Sequence, residues 1–145
     1  MPVTSADVDR AAAELRACLG PLVRRLRTVH KDELTLSQIT VLVRLEREGP
    51  STSGALALAE EIRPQSMGAI VSGLEERGLV LRTPDPSDGR RVAVAISAKG
   101  RRSLQGVRQE KARRLARAIG EGLSPAEQEQ LIAAIPLLER LGRLV

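Results

Sequence analysis

The sequence predicts a mainly α-helical protein with one small β-hairpin, and three observations carry that prediction. Apolar residues recur at helical spacing through most of the chain. Two segments, Thr35 to Gln38 and Ser124 to Glu127, have the Ser/Thr-x-x-Glu/Gln pattern of a capping box, in which side chain and backbone at a helix start satisfy each other's free groups. A third segment, residues 79–97, turns to strand-forming residues on either side of a loop rich in proline, aspartate and glycine.

The elements follow in order. Val8, Ala11, Leu15, Cys18 or Leu19, Leu22, Leu26 and Val29 place an amphipathic helix from Asp7 to about His30, interrupted at most locally by Gly20-Pro21. Behind the Thr35 cap, Ile39, Leu42, Val43 and Leu45 continue a second helix, which Gly49-Pro50 ends. A short third helix runs through Leu56 and Leu58 to about Glu61, and Pro64 suits the first position of a fourth, which extends to Arg77 and stops at Gly78. "LVLRT" and "RVAVAIS" read as two strands of a hairpin, with Val92, Val94 and Ile96 forming the face that anchors it. A long helix from Ala98 to about Gly120 carries Leu104, Val107, Leu115 and Ile119 on its apolar side. Ser124 and Pro125 open a last helix, which Pro136 is expected to kink.

Two short helices, a third entered through proline, and a hairpin make the order of a winged helix-turn-helix, in which one helix lies in the DNA major groove while the hairpin reaches the minor groove and phosphates. On a helical wheel the fourth helix turns Met67, Ile70, Val71 and Leu74 to one side. The other side is small and uncharged, with Gln65, Gly68, Ala69, Ser72 and Gly73, and Ser66 at its edge. Two internal glycines each cost a helix about 1 kcal/mol against alanine, so this is either a weak surface helix or a smooth face that sinks into a groove.

Composition narrows the function further. The 145 residues fit one domain with its own core, and 42% hydrophobic with 28% charged content is ordinary for a globular protein. No stretch has the length of a membrane span and the start lacks the pattern of a signal peptide, which makes the cytoplasm the expected location. One cysteine and one histidine exclude an internal disulfide and a structural zinc site within one chain, and no cofactor is expected. A net charge of +5 favours polyanionic partners if it is concentrated. The absence of Phe, Tyr and Trp removes the stacking platforms that hold single strands, leaving duplex as the expected nucleic acid. No glycine-rich phosphate loop, metal-spaced cluster or nucleophile-base pair points to catalysis; Glu60-Glu61 and Glu75-Glu76 are adjacent on helices and face different directions.

From "LTLSQITVLVRLEREGPSTSGALA" through "RPQSMGAIVSGLEERGLVLRTPDPSDGRRVAVAISAKGR" the chain resembles the MarR family of bacterial transcriptional regulators, over about residues 34 to 102. The most specific part is "LEERGLV" followed at fixed distance by "DPSDGRR" and "ISAKGR". The resemblance implies an obligate homodimer: residues 1–33 and 121–145 would supply intertwined dimerisation helices, residues 34–97 the winged helix-turn-helix, and residues 98–120 the helix that links them. It also implies a pseudo-palindromic double-stranded operator as the partner. In the wing, Asp88 and Arg90 fall on the family's Asp-x-Arg pattern, with Arg90 in the minor groove, Asp88 holding its guanidinium, and Arg91 as the adjacent basic position. Gln65 and Ser66 match the start of the recognition helix, with Ala69 and Ser72 on the same face. Ala69 and Gly73 stand where many members have longer side chains, which shifts the expected weight of binding onto wing, phosphates and DNA shape.

Three further expectations come with the family. Members commonly release DNA when a small anionic or amphipathic molecule enters a crevice, and Arg24, Arg27 and His30 belong to a basic run in a suitable place. A solvated helix face is the alternative for that run. Some relatives sense peroxide through a cysteine near the start of the first helix, but Cys18 has no tyrosines to support a thiolate and, set among Leu15, Leu19 and Leu22, is expected to be a buried structural residue. The third expectation is the main one: a repressor relieved by a ligand, with a peroxide sensor or a winged-helix architectural or protein-interaction module as alternatives.

Overall fold

The computed structural model describes residues 1–27 and 34–145. Among these residues six helices and one hairpin follow the predicted order: α1 (Ser5–Leu26), α2 (Leu36–Glu48), α3 (Ser53–Ala59), α4 (Pro64–Glu76), β1 (Val80–Pro84), β2 (Val92–Ile96), α5 (Ala98–Gly122) and α6 (Pro125–Gly142). None of the helices among the described residues is long and apolar enough to cross a membrane. The chain divides into two compact units, residues 1–108 and 109–145, with α5 running from one into the other.

Both predicted capping boxes are present. Thr35 accepts from the Gln38 amide while the Gln38 side chain accepts from the Thr35 amide, and Ser124 and Glu127 do the same for α6. A third box, Thr4 with Asp7, starts α1. Helix α2 stops where Gly49 takes a φ of 84°, a conformation that favours glycine. The turn between α3 and α4 is built differently: Glu61 adopts a φ of 54°, and the Ile62 amide reaches back to the Ala57 carbonyl. Arg44 clamps this corner by pairing with Glu60 beside the turn and with Glu48 on its own helix.

The core of the first unit gathers Ile39, Val41, Leu42 and Leu45 from α2, Leu56 and Ala57 from α3, and Met67, Val71 and Leu74 from α4. Leu79, Val80, Val94 and Ile96 close it from the base of the hairpin, and Leu104 from α5. The hairpin is antiparallel, pairing Val80 with Ile96 and Pro84 with Val92. On its other edge β2 meets Ser51, which exchanges both backbone hydrogen bonds with Val94.

Two side chains depart from the expected pattern. Val92 is exposed while Ala93 is fully buried, so the anchoring face is Val94 and Ile96 alone. Val92 lies at the distal end of the strand, past the core, whereas the small Ala93 lies beside Thr83 on one flank and next to the Ser51 bridge on the other. Leu58, through which the short third helix was expected to run, lies in α3 but projects to solvent at 82% exposure; Leu56 and Ala57 make the buried side of that helix.

Helices α1 and α6 bury no residue. Helix α6 is one continuous element through Pro136, although that ring cannot donate to the carbonyl one turn back. Cys18 is exposed instead of buried, because α1 packs none of its residues into the core; its thiol donates to the Leu15 carbonyl at 3.2 Å.

Candidate nucleic-acid interface

Helix α4 presents two faces. Met67, Val71 and Leu74 are buried and Ile70 packs against them, as the periodicity required. Gln65, Ser66, Ala69 and Ser72 are exposed. The two glycines separate in role. A methyl group added at Gly68 would meet nothing within 4 Å among the described residues outside its own helix backbone, so no packing there requires this position to be small. At Gly73 the same methyl would lie 3.2 Å from the Gln38 side-chain nitrogen, so this glycine faces the cap of α2 and not outward as the wheel suggested. The smooth outer face is therefore Gln65, Gly68, Ala69 and Ser72. At the start of the helix Arg63 occupies the N-cap without a side-chain hydrogen bond, and Pro64 follows at the first position.

The wing tip is organised by two aspartates. Asp85 accepts from the Ser87 amide at 3.0 Å and its hydroxyl at 2.9 Å, and these bonds hold the Asp85 carboxyl below its usual range. Asp88 accepts from the Arg90 amide at 3.1 Å and from the Arg90 Nε at 3.2 Å, with the Arg91 Nε 3.8 Å away. The backbone closes the tip, since the Arg91 amide donates to the Asp88 carbonyl and the Asp85 amide to the Arg91 carbonyl. Asp88 thus meets Arg90, the residue it was expected to hold, and lies within ion-pair distance of Arg91 as well. The Arg90 side chain remains 92% exposed, so its charge is oriented without being withdrawn from solvent. An exposed pair of this kind contributes about 0 to 1 kcal/mol to stability, and its effect is chiefly on direction.

Sequence reasoning missed the contacts at the base of the wing. Arg82 on β1 reaches both carboxylate oxygens of Glu75 on α4 at 3.1 Å. Ser97, Lys99 and Gly100, just past β2, close on residues 77–79 at the end of α4. The signal was visible as the fixed spacing of "LEERGLV" and "ISAKGR", which these contacts explain.

Arg24 and Arg27 are exposed at the C-terminal end of α1, and His30 lies outside the described residues. Neither arginine lines the shallow hollow of about 220 Å³ between α2 and α4, whose walls include Leu36, Thr40, Glu60 and Ile70. Among the described residues no group of three or more His, Cys, Asp or Glu could hold a metal ion.

A helix-turn-helix packed on a two-stranded wing, with a smooth exposed helix face and arginines at the wing tip, defines the class of DNA-binding winged-helix regulators. The comparisons specify it: the MarR family pattern matches residues 34–92. An HTH-type transcriptional regulator of Mycobacterium bovis is 35% identical over 130 residues, covering 89% of this chain and 90% of the relative. The HTH-type transcriptional repressor Rv2887 of Mycobacterium tuberculosis is 31% identical over 139 residues, covering 87% and 94%. A transcriptional regulator of known structure from Pseudomonas aeruginosa superposes with a TM-score of 0.73 at 37% identity, over 96% of this chain and 97% of that one. The chain belongs to the MarR family and is a DNA-binding transcriptional regulator, not an enzyme.

Proposed function

We propose that this protein is a homodimeric repressor that binds a pseudo-palindromic operator and relies on its wing more than on its recognition helix. The observation that carries this reading is the contrast between an exposed Arg90 held by Asp88 and a recognition-helix face made of Gln65, Gly68, Ala69 and Ser72. Arginine's planar charge suits a narrow, electronegative minor groove. Short side chains allow the α4 backbone to approach the major groove closely, with Gln65 and Ser66 available to base edges or phosphates and Arg91 to the backbone.

Dimerisation is supported by α1 and α6, which leave Leu19, Leu22, Val23, Ile132, Ile135, Leu138 and Leu141 at least one-third exposed. Exposed apolar residues on each of these helices suit a symmetric, self-complementary interface, and two-fold symmetry would match two half-sites on the operator. The repressor reading also draws on the named activity of the Rv2887 relative. It includes relief by a small anionic or amphipathic effector, for which Arg24 and Arg27 offer charge at the end of α1.

The test is operator binding by Arg90→Ala at several salt concentrations, on a fragment selected from random duplexes. The substitution is expected to cost about 1 to 3 kcal/mol and to lower the salt slope by about 1. Affinity equal to the parent's at the same salt would remove Arg90 from the interface. Equal binding to selected and random duplex would instead favour an architectural module.

A further inference from the structure

Ser97 is the polar side chain that the fold buries among the described residues, at 8% exposure. Its hydroxyl donates to the Gly78 carbonyl at 2.6 Å and accepts from the Gly100 amide at 3.0 Å. Its own amide donates to the Leu79 carbonyl at 3.0 Å, and the Lys99 ammonium donates to the Arg77 carbonyl at 2.9 Å. Three consecutive carbonyls, those of the α4 C-cap Arg77 and of Gly78 and Leu79 in the turn that follows, are therefore all taken by one short segment. Gly100 permits the approach: a Cβ there would lie 2.1 Å from the Leu79 carbonyl oxygen. Gly78, at a φ of 71°, turns the chain so that these carbonyls face the segment.

Both strands of the wing leave from this latch, β1 directly after Leu79 and β2 directly before Ser97. Five residues of strand reach about 17 Å, so a tilt of about 10° at the base moves the tip by roughly 3 Å, the span of a hydrogen bond. Apolar packing of Val80, Val94 and Ile96 against the core also holds the base of the wing, whereas the ion pair from β1 to the recognition helix, Arg82 to Glu75, is about half exposed on both sides and is weakened by solvent and salt.

We propose that Ser97 is a positioning residue for DNA binding: by bonding the Gly78 carbonyl in the turn that leaves α4, and the Gly100 amide at the start of α5, its hydroxyl fixes the base of the wing beside the recognition helix, so that Arg90 and the α4 face engage one duplex together. The proposal rests on the reading of the wing as a DNA contact, and the experiment separates the two. Operator affinity is measured for Arg90→Ala in the parent and in a Ser97→Ala background, alongside thermal melts of each protein. In the parent Arg90→Ala is expected to cost about tenfold or more, and in the Ser97→Ala background about threefold or less, because a wing without its latch no longer presents Arg90. Ser97→Thr keeps the hydroxyl and is expected to restore the parent's response to Arg90→Ala. A purely structural role would lower the melting temperature and leave the Arg90 factor unchanged, which overturns the proposal. If Arg90→Ala has no effect in the parent, the wing reading falls and the latch proposal with it. Should Ser97→Ala not fold, Ser97→Cys decides alone: it fills the site with a thiol, a much weaker donor and acceptor than the hydroxyl, and an undiminished Arg90 factor in that protein overturns the proposal.

Discussion

The helix-turn-helix core and the terminal helices place their apolar residues in opposite ways. Helix α2 buries Ile39, Val41, Leu42 and Leu45 against α3, α4 and the base of the wing. Helices α1 and α6 have apolar residues at similar spacing and bury none of them, with Ile135 at 47% and Leu137 at 58% exposure. Periodicity is thus common to both regions, and what differs is whether the single chain buries the apolar face that it marks. The comparison teaches that the winged helix-turn-helix builds its core from one copy, whereas on the dimer reading the ends complete theirs against a second.

Two truncations of the same residue type test this contrast with the largest effects. Leu42→Ala empties a site that is 0% exposed and is expected to destabilise the core by about 2 to 5 kcal/mol, with a loss of melting temperature that appears at every protein concentration. Leu138→Ala removes a side chain that is 38% exposed in the single chain. On the dimer reading it weakens self-association by up to about 3 kcal/mol per copy, seen by sedimentation, and leaves hydrogen exchange in α2 and α4 as in the parent. The contrast breaks if Leu138→Ala leaves association unchanged.

Glycine-to-alanine changes refine it at lower amplitude. Gly100→Ala forces a methyl into the Leu79 carbonyl and is expected to cost about 1 to 3 kcal/mol. Gly68→Ala meets open space in a helix and is expected to stabilise the protein by about 0.5 to 1 kcal/mol while weakening operator binding. Denaturant titrations compare the two directly, and stabilisation without loss of DNA affinity would show that the smooth face is not a contact surface.

What was legible in the sequence was local. The Thr35 and Ser124 caps, the proline at the start of α4, the stop at Gly78 and the Asp88 contact with Arg90 involve groups a few residues apart, and short-range chemistry fixes them. What escaped depends on distant neighbours. Gly73 reads as outward on an isolated wheel, and only the approach of Gln38 shows its packing role. Ala93 is buried by the strands beside it, and Val92 is exposed because the core ends before it. Ser97 sits 19 residues from the carbonyl it satisfies, a separation that no period or capping rule reaches.

The smallest expected effect separates the two regions by pH. Both terminal helices begin with a carboxylate box, Thr4 with Asp7 and Ser124 with Glu127, whereas α2 begins with the amide of Gln38. Hydrogen bonds from Thr4 hold Asp7 below its ordinary value of 3.8, and hydrogen bonds from Ser124 hold Glu127 below 4.5. A carboxyl lowered in the folded state adds stability that is fully present above its unfolded value and is lost as pH falls through the folded one. The starts of α1 and α6 are therefore expected to fray as pH drops below about 4, while the start of α2 has no titrating group in its cap. Glu48 and Asp85, also lowered, titrate elsewhere in the first unit, so a global melt would mix these contributions. Backbone chemical shifts of Asp7, Glu127 and Gln38 followed from pH 6 to pH 3 resolve them, the first two moving toward random-coil values with Gln38 unchanged, at about the pH where carboxylates protonate. Asp7→Asn and Glu127→Gln should remove the pH response at their own helices and leave the other helix unaffected. A Gln38 transition coincident with the other two would mean that all three caps report one cooperative unfolding, and the distinction between the regions would then not extend to their helix ends.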